Sequence, residues 1–321
     1  MLNVGVIGVG ALGKHHARIY ANLPGVTLVG VCDVNESAGR EVAERHGVPF
    51  FSDFRELAAL VDAASVAVPT IGHCEVACEL LSAGKSALVE KPIAVTLEEA
   101  DRMIAAADET GAILQIGHLE RFNPAVRAAK SVVRMPRFFE IDRLSVFTPR
   151  SLDIDVVADL MIHDLDILAW FANSPVATIH AVGVPALSPK VDIASARIEF
   201  ENGCVANVTA SRVSLEKIRK MRCFHAGGYV SVDYAEQKLT ALGVHPPATP
   251  DGRPIIMPLP VMVQNDEPLR AQLAAFVESV TTKTAPEVDG RAGRAALEFA
   301  RRVVSEIEAH AKRANLPTLF G

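Results

Sequence analysis

Residues 2–21 read LNVGVIGVGALGKHHARIYA. Leu2 to Val9 is an apolar, β-branched run without alternation, the pattern of a strand covered on both faces and so of a central strand in a parallel sheet. Gly8, Gly10 and Gly13 follow at GxGxxG spacing. The first glycine permits a tight turn, the second lets backbone approach a pyrophosphate, and the third lets the next helix pack close to the strand. A helix opening near Ala11 and Leu12 points free N–H groups and the positive end of its dipole at two phosphates. Three glycines alone are a weak signal, since a plain turn reads the same way. The context strengthens them: a helical pattern with Leu12, Ile19 and Leu23 on one face runs to Pro24-Gly25, and a second apolar strand, Val26 to Val31, leads to Asp33. A carboxylate there accepts hydrogen bonds from the adenosine ribose hydroxyls, and the next residue, Val34, offers no arginine to a 2′-phosphate. The expected cofactor is NAD rather than NADP.

From Asp33 the elements alternate. Asn35 caps a helix to about His46, and Val48 to Phe51 is a short third strand. Asp53 and Glu56 read as a capping box for a helix to about Val61. Strands Ala64 to Val68, Ser86 to Val89 and Ala112 to Ile116 are separated by helices over Gly72 to Ala83 and from Thr96, with its capping partner Glu99, to Thr110. Six strands with crossover helices predict a doubly wound sheet of order 3-2-1-4-5-6.

The rhythm changes near Gly117. A helix to about Val133, a strand Arg137 to Phe147 and a long helix from Ile154 to Phe171 precede a run of strands over 176–184, 192–200, 204–213, 219–226, 229–233 and 237–242. Asn202-Gly203 and Gly227-Gly228 join neighbours as hairpins, so a large, mostly antiparallel sheet is expected. His245 to Pro260 reads as irregular, and helices over 267–281 and 290–314 close the chain. The expected division is an α/β Rossmann domain over 1–118 and an α+β substrate-binding and oligomerisation domain over 119–321.

With 321 residues, 50% of them hydrophobic, the chain can bury a core in each domain, and its net charge of −6 argues against nucleic acid or an anionic membrane as partner. No apolar run reaches spanning length and the first residues go straight into a strand, so cytoplasmic residence is expected. Cys74 and Cys78, a helical turn apart, read as buried apolar residues rather than metal ligands; no metal is expected.

Ligands of open α/β sheets bind outside the carboxyl ends of the strands. The candidates there are Pro69 and Thr70 with His73 just beyond, and Glu90-Lys91-Pro92. Proline keeps Lys91 extended and out of any helix, which aims its side chain along the crevice; a solvent-facing loop lysine is the alternative. On the long helix Asp159 and His163 are four residues apart and share a face, with Asp166 three beyond. A carboxylate beside a histidine fixes its tautomer and supports its imidazolium, as proton transfer requires. A structural Asp–His pair and a divalent site from Asp159, His163 and Asp166 are the other readings of these residues alone.

GxGxxG, VAVPT followed by His73, EKP at 90–92 and D-x-x-x-H at Asp159 and His163 together resemble the Gfo/Idh/MocA family of NAD(P)-dependent oxidoreductases, in order and over nearly the whole chain. The resemblance implies a Rossmann domain followed by a sheet domain that mediates homodimers or homotetramers. It also implies Lys91, Asp159 and His163 as the catalytic set, away from the metal reading. One departure is DIDVV at 153–157, where many members carry a Gly-rich segment. HLERFNPAVR (118–127), DVVADLMIHDLDIL (155–168) and the stretch 188–220 resemble the branch that oxidises the 3-hydroxyl of UDP-N-acetylglucosamine, supplying a 3-keto sugar for amination in lipid A assembly. An inositol or free-aldose dehydrogenase of the same family, or a non-catalytic NAD-binding regulator, are the alternatives. Arg121 and Asn123 are candidate substrate contacts, with a capping or packing role for Asn123 as the competing reading. Lys217, Arg219, Lys220 and Arg222 are either a diphosphate clamp or a solvated edge or subunit contact.

Overall fold

The computed structural model describes residues 1–148, 154–245, 247 and 252–315. In chain order the elements are β1 (Leu2–Ile7), α1 (Gly13–Tyr20), β2 (Val26–Cys32), α2 (Glu36–His46), β3 (Phe50–Phe51), α3 (Phe54–Ala58), β4 (Ala63–Val66), α4 (His73–Ser82), β5 (Ser86–Glu90), α5 (Leu97–Thr110) and β6 (Leu114–Gly117). After them come α6 (Pro124–Val132), β7 (Pro136–Leu144), α7 (Ile162–Ala172), β8 (Val176–Val184), β9 (Ile193–Phe200), β10 (Val205–Ser211), β11 (Ile218–His225), β12 (Gly228–Asp233), β13 (Lys238–His245), β14 (Ile255–Pro258), α8 (Pro268–Thr282) and α9 (Gly290–Arg313).

Two compact units result: one of Met1–Leu119 with Glu267–Leu297, the other of Glu120–Asp266 and the chain from Glu298 onward. Beyond the sequence division near residue 118, the later stretch 267–297 rejoins the first unit. The reason is apolar burial. Leu273 and Phe276 of α8 are fully buried in one cluster with Val4, Val6, Tyr20, Ala63 and Leu88, each such side chain stabilising by roughly 1.5–3 kcal/mol.

The first unit's sheet is parallel throughout, in the order β3-β2-β1-β4-β5-β6. β1 and β4 are buried on both faces, as their unbroken apolar runs require. Asn35 accepts from the Ala38 N–H and Gly47 ends α2 in the left-handed region. Thr96 and Glu99 form the full capping box of α5. Asp53 caps α3 through the Arg55 N–H, and that helix stops at Ala58, short of the expected Val61, while β3 keeps only Phe50 and Phe51.

The second unit carries an eight-stranded sheet, β14-β13-β12-β11-β7-β10-β9-β8. Its hairpins run as expected on either side, but β7 lies between β10 and β11 and pairs with β10 in parallel. The stretch 245–260 also departs from an irregular reading, since Ile255–Pro258 pairs with β13; residues 246 and 248–251 lie outside the described residues. Helices α6 and α7 pack on one face of this sheet. The other is half-exposed and carries the Phe138–Phe224–Tyr229 cluster, with ring centroids 6.0 and 5.0 Å apart. The expected long helix opens with a π-helical turn, Val157–Met161, before α7. Among the described residues, no helix is long and apolar enough to cross a membrane.

Candidate active site

All the cofactor candidates of the first unit lie at one edge of its sheet, where β1, β2, β4 and β5 end. Gly8 turns the chain at φ +85°, and a Cβ there would meet the Ala67 backbone at 2.7 Å. Gly13 is closer still, its notional Cβ 1.8 Å from the Gly8 carbonyl oxygen. Gly10 differs: nothing of the chain lies within 4 Å of a Cβ built on it. Two glycines therefore serve the fold and the middle one leaves space. Ala11 and Leu12 are exposed beside it, and the first turn of α1 holds no acidic residue, so the helix end faces an open, uncancelled anion position. The second strand closes the loop: Asp33 accepts from the Val9 N–H at 2.7 Å with one oxygen and from the Asn35 N–H at 2.8 Å with the other. These features fit a dinucleotide, with room at the loop and a carboxylate beside it.

Pro69 and Thr70 follow β4 in a short 3₁₀ turn. His73 is buried, with its ring nitrogens 2.9 Å from the carbonyl oxygens of Pro92 and Val68, and burial pulls its pKa below the usual histidine value. It lies between the EKP loop and the end of β4, within reach of a carbonyl from each. The Lys91–Pro92 peptide is cis. Glu90 is buried beside His16 of α1, 3.1 Å from Nε2 to Oε1. Burial pushes its carboxyl up, yet His16 and the Lys91 ammonium prevail and hold it below the usual carboxylate range.

In the second unit Asp155 accepts from the Ala158 N–H at 2.8 Å and so opens the π turn that carries Asp159; Asp153, at the head of DIDVV, lies outside the described residues. His163 follows in the first turn of α7, and both side chains are half-buried. Two buried arginines grip that helix. Arg121 binds Asp166 through two hydrogen bonds, 2.8 and 2.7 Å, with its guanidinium over the Trp170 ring. Arg143 binds Asp164 the same way, 2.7 and 2.8 Å, and reaches Glu120 at 3.1 Å. Asn123 joins them, donating to Glu120 and to the Tyr234 carbonyl while capping α6. Burial alone would disfavour the Arg143 cation, but Asp164 and Glu120 hold it firmly protonated.

Arg121, through Nε and one terminal nitrogen on Asp166, and Asn123, through its amide on Glu120 and Tyr234, both make framework contacts inside the unit. Both oxygens of Asp166 are likewise engaged by Arg121. The basic stretch 217–222 does not converge. Lys220 and Arg222 lie on one face of β11, opposite Asp233 and Glu140, while Arg219 is on the other. A second brace holds the start of the π turn: Arg212 donates to Asp192 at 2.7 Å and to the Ile154 carbonyl at 2.9 Å.

Three framework residues were missed in the sequence. Arg143 had a signal, since it follows Phe139 and Ile141 at the core-facing period of β7. His16 and Tyr234 had none.

Comparison with known proteins bears on the chemistry. Residues 2–118 match the oxidoreductase family with NAD-binding Rossmann fold, Gfo/Idh/MocA, and residues 125–226 match the C-terminal domain of the same family. The chain belongs to the Gfo/Idh/MocA family. As such it is an NAD-dependent oxidoreductase acting on CH–OH groups. A UDP-N-acetylglucosamine 3-dehydrogenase from Acidithiobacillus ferrooxidans is 38% identical over 313 residues, 97% of this chain and 99% of the relative. The solved structure of that Gfo/Idh/MocA enzyme, GnnA, superposes with a TM-score of 0.87 over 96% of this chain and 98% of its own. The scyllo-inositol 2-dehydrogenase (NAD⁺) of Bacillus subtilis is 29% identical over 65% of this chain and 67% of its own.

Proposed function

We propose that this enzyme oxidises the 3-hydroxyl of UDP-N-acetylglucosamine to a ketone, with Lys91, Asp159 and His163 as its catalytic residues. The observation that carries the reading is the extent of the 38% identity. It spans 97% of this chain, second unit included, whereas the inositol 2-dehydrogenase matches over 65%.

Bound NAD supplies the hydride acceptor, and Gly8, Gly10, Ala11, Leu12, Gly13, Asp33, Pro69, Thr70 and the Glu90-Lys91 backbone form its seat. His163 takes the proton of the hydroxyl, with Asp159 supporting the imidazolium that results. Lys91 donates a hydrogen bond to the same oxygen as negative charge develops there. Glu90 beside it favours the ammonium, which supports Lys91 as charge stabiliser and His163 as base rather than the exchanged roles.

The 3-keto sugar suits amination next, the use made of it in lipid A assembly. Five free cysteines accord with a reducing cytoplasm. The aromatic cluster on the half-exposed sheet face favours a homodimer or homotetramer built across it; light scattering of the purified protein would return a dimer or tetramer mass, and a monomer would end that part of the reading.

The test is a screen of nicotinamide reduction with UDP-N-acetylglucosamine, myo-inositol and glucose. Turnover only with the first is expected. Lys91→Ala and His163→Ala are each expected to lose about a thousandfold or more in kcat while NAD affinity by calorimetry persists. Near-normal turnover in either variant would falsify the assignment, and preferred turnover of myo-inositol would move the substrate to the inositol class.

A further inference from the structure

The reaction as described leaves one buried titratable pair unused. His16 lies in α1, the helix that opens the glycine loop, and is fully buried. Its Nε2 is 3.1 Å from Glu90 Oε1, off the line of an ideal hydrogen bond, and its Nδ1 is buried with no hydrogen-bond partner among the described residues. The carboxylate it faces is tightly enclosed. A Cβ on Gly117, at the end of β6, would fall 2.9 Å from both Glu90 oxygens, so a side chain there would push the carboxylate from its place. The Lys91 N–H points at the same carboxylate. Neither ring nitrogen makes a hydrogen bond of good geometry among the described residues, and the 3.1 Å approach to the carboxylate is the polar contact that repays the imidazole's burial. The carboxylate it approaches belongs to the residue next to Lys91.

We propose that His16 and Glu90 are positioning residues for Lys91: the imidazole seats the Glu90 carboxylate against Gly117, and that carboxylate fixes the Lys91 backbone and keeps its side chain an ammonium. The inference rests on the reading of Lys91 as a catalytic cation. Among the described residues, the titratable groups that face Glu90 are His16 and Tyr20 from α1, Lys91 from its own loop and His73 from α4, with the Gly117 backbone of β6 against its oxygens. Of these, His16 and Lys91 favour the ionised carboxylate, and Tyr20 and His73 are neutral at the working pH. Burial opposes ionisation, so removing His16 leaves the carboxylate with less to hold it in place and in its ionised form. The glycine-loop helix and the catalytic lysine thus share one electrostatic connection inside the first unit.

The experiment is the pH profile of kcat/KM for the full chain with NAD and the substrate identified in the screen above. The variants are Glu90→Gln, His16→Leu and His16→Gln, each also assayed for NAD affinity. Glu90→Gln is expected to move the alkaline limb down by about one pH unit, because the lysine then loses its proton more readily. His16→Leu shifts it in the same direction, and the double variant shifts no further than Glu90→Gln. His16→Gln, which keeps a donor for the carboxylate, restores the wild-type limb. NAD binding weakens with Glu90→Gln and His16→Leu, because both loosen the Lys91 backbone that helps seat it, and recovers with His16→Gln. Coincident alkaline limbs in all variants would overturn the inference. Should Glu90→Gln not fold, the contrast between His16→Leu and His16→Gln decides the same question. An active Lys91→Ala variant would instead sink the role of Lys91 itself, a failure told apart because it is read from that variant alone.

Discussion

Gly13 sits directly against Gly8, so close that a Cβ on the later residue would lie 1.8 Å from the carbonyl oxygen of the earlier one. Gly10, between them, has open space where a side chain would be. Two substitutions of the same size therefore report on different things. Gly13→Ala is expected to fail to fold or to lose most of its thermal stability. Gly10→Ala is expected to keep the wild-type melting temperature while NAD binding weakens by about ten- to hundredfold, the size of one or two lost charge-assisted hydrogen bonds. Calorimetry with NAD on a variant of proven stability checks it.

Asp33 holds the glycine loop through the Val9 N–H and in the proposed reading receives the ribose hydroxyls of NAD. Asp33→Ala combined with Val34→Arg removes a carboxylate that repels a 2′-phosphate and adds a cation that pairs with one. The ratio of kcat/KM for NADP to that for NAD is expected to rise by about two orders of magnitude. An unchanged ratio would place cofactor choice elsewhere. Absolute activity falls as well, because the Val9 N–H loses its acceptor.

Arg143→Met leaves Asp164 and Glu120 buried without their cation, and urea unfolding is expected to show a loss of about 3–5 kcal/mol. The exposed pair Arg291–Asp108, at 2.7 Å, is the control: Arg291→Ala should leave the urea midpoint nearly where it is in the wild type. Equal effects at the two sites would mean that the buried clamp contributes nothing special to the helix that carries His163.

Asp192 predicts an acid dependence of stability. Although burial raises its pKa, the backbone N–H of Leu187, the Arg212 guanidinium, Ser188 and the Ala186 N–H hold the folded carboxyl well below the usual range. The unfolded chain therefore binds this proton more readily, so the contribution is complete above the ordinary aspartate pKa of about 4 and is lost progressively as pH falls below it. Urea midpoints of wild type and Asp192→Asn should differ most at neutral pH and converge toward acid. A constant gap would show that Asp192 acts through shape and not through charge.

By itself the sequence determined the alternation of apolar runs, glycine turns and caps, because each depends on residues within a turn or two of one another. Hence the six parallel strands and their order, the loop Gly8 to Gly13, the stop at Asp33 and the Asn35 and Thr96 caps were all legible, as was the resemblance carried by Lys91, Asp159 and His163. Pairings between distant residues were not. That Arg121 meets Asp166 and Asn123 meets the Tyr234 carbonyl is set by residues far apart in the chain. So is the place of His73 between two carbonyl oxygens. The parallel β7–β10 pair and the return of α8 to the first core likewise arise from strand placement and apolar burial over long separations. Tertiary structure decided which polar groups are satisfied internally and which remain for chemistry, since whether a buried charge is spent or available depends on a partner that local sequence does not specify.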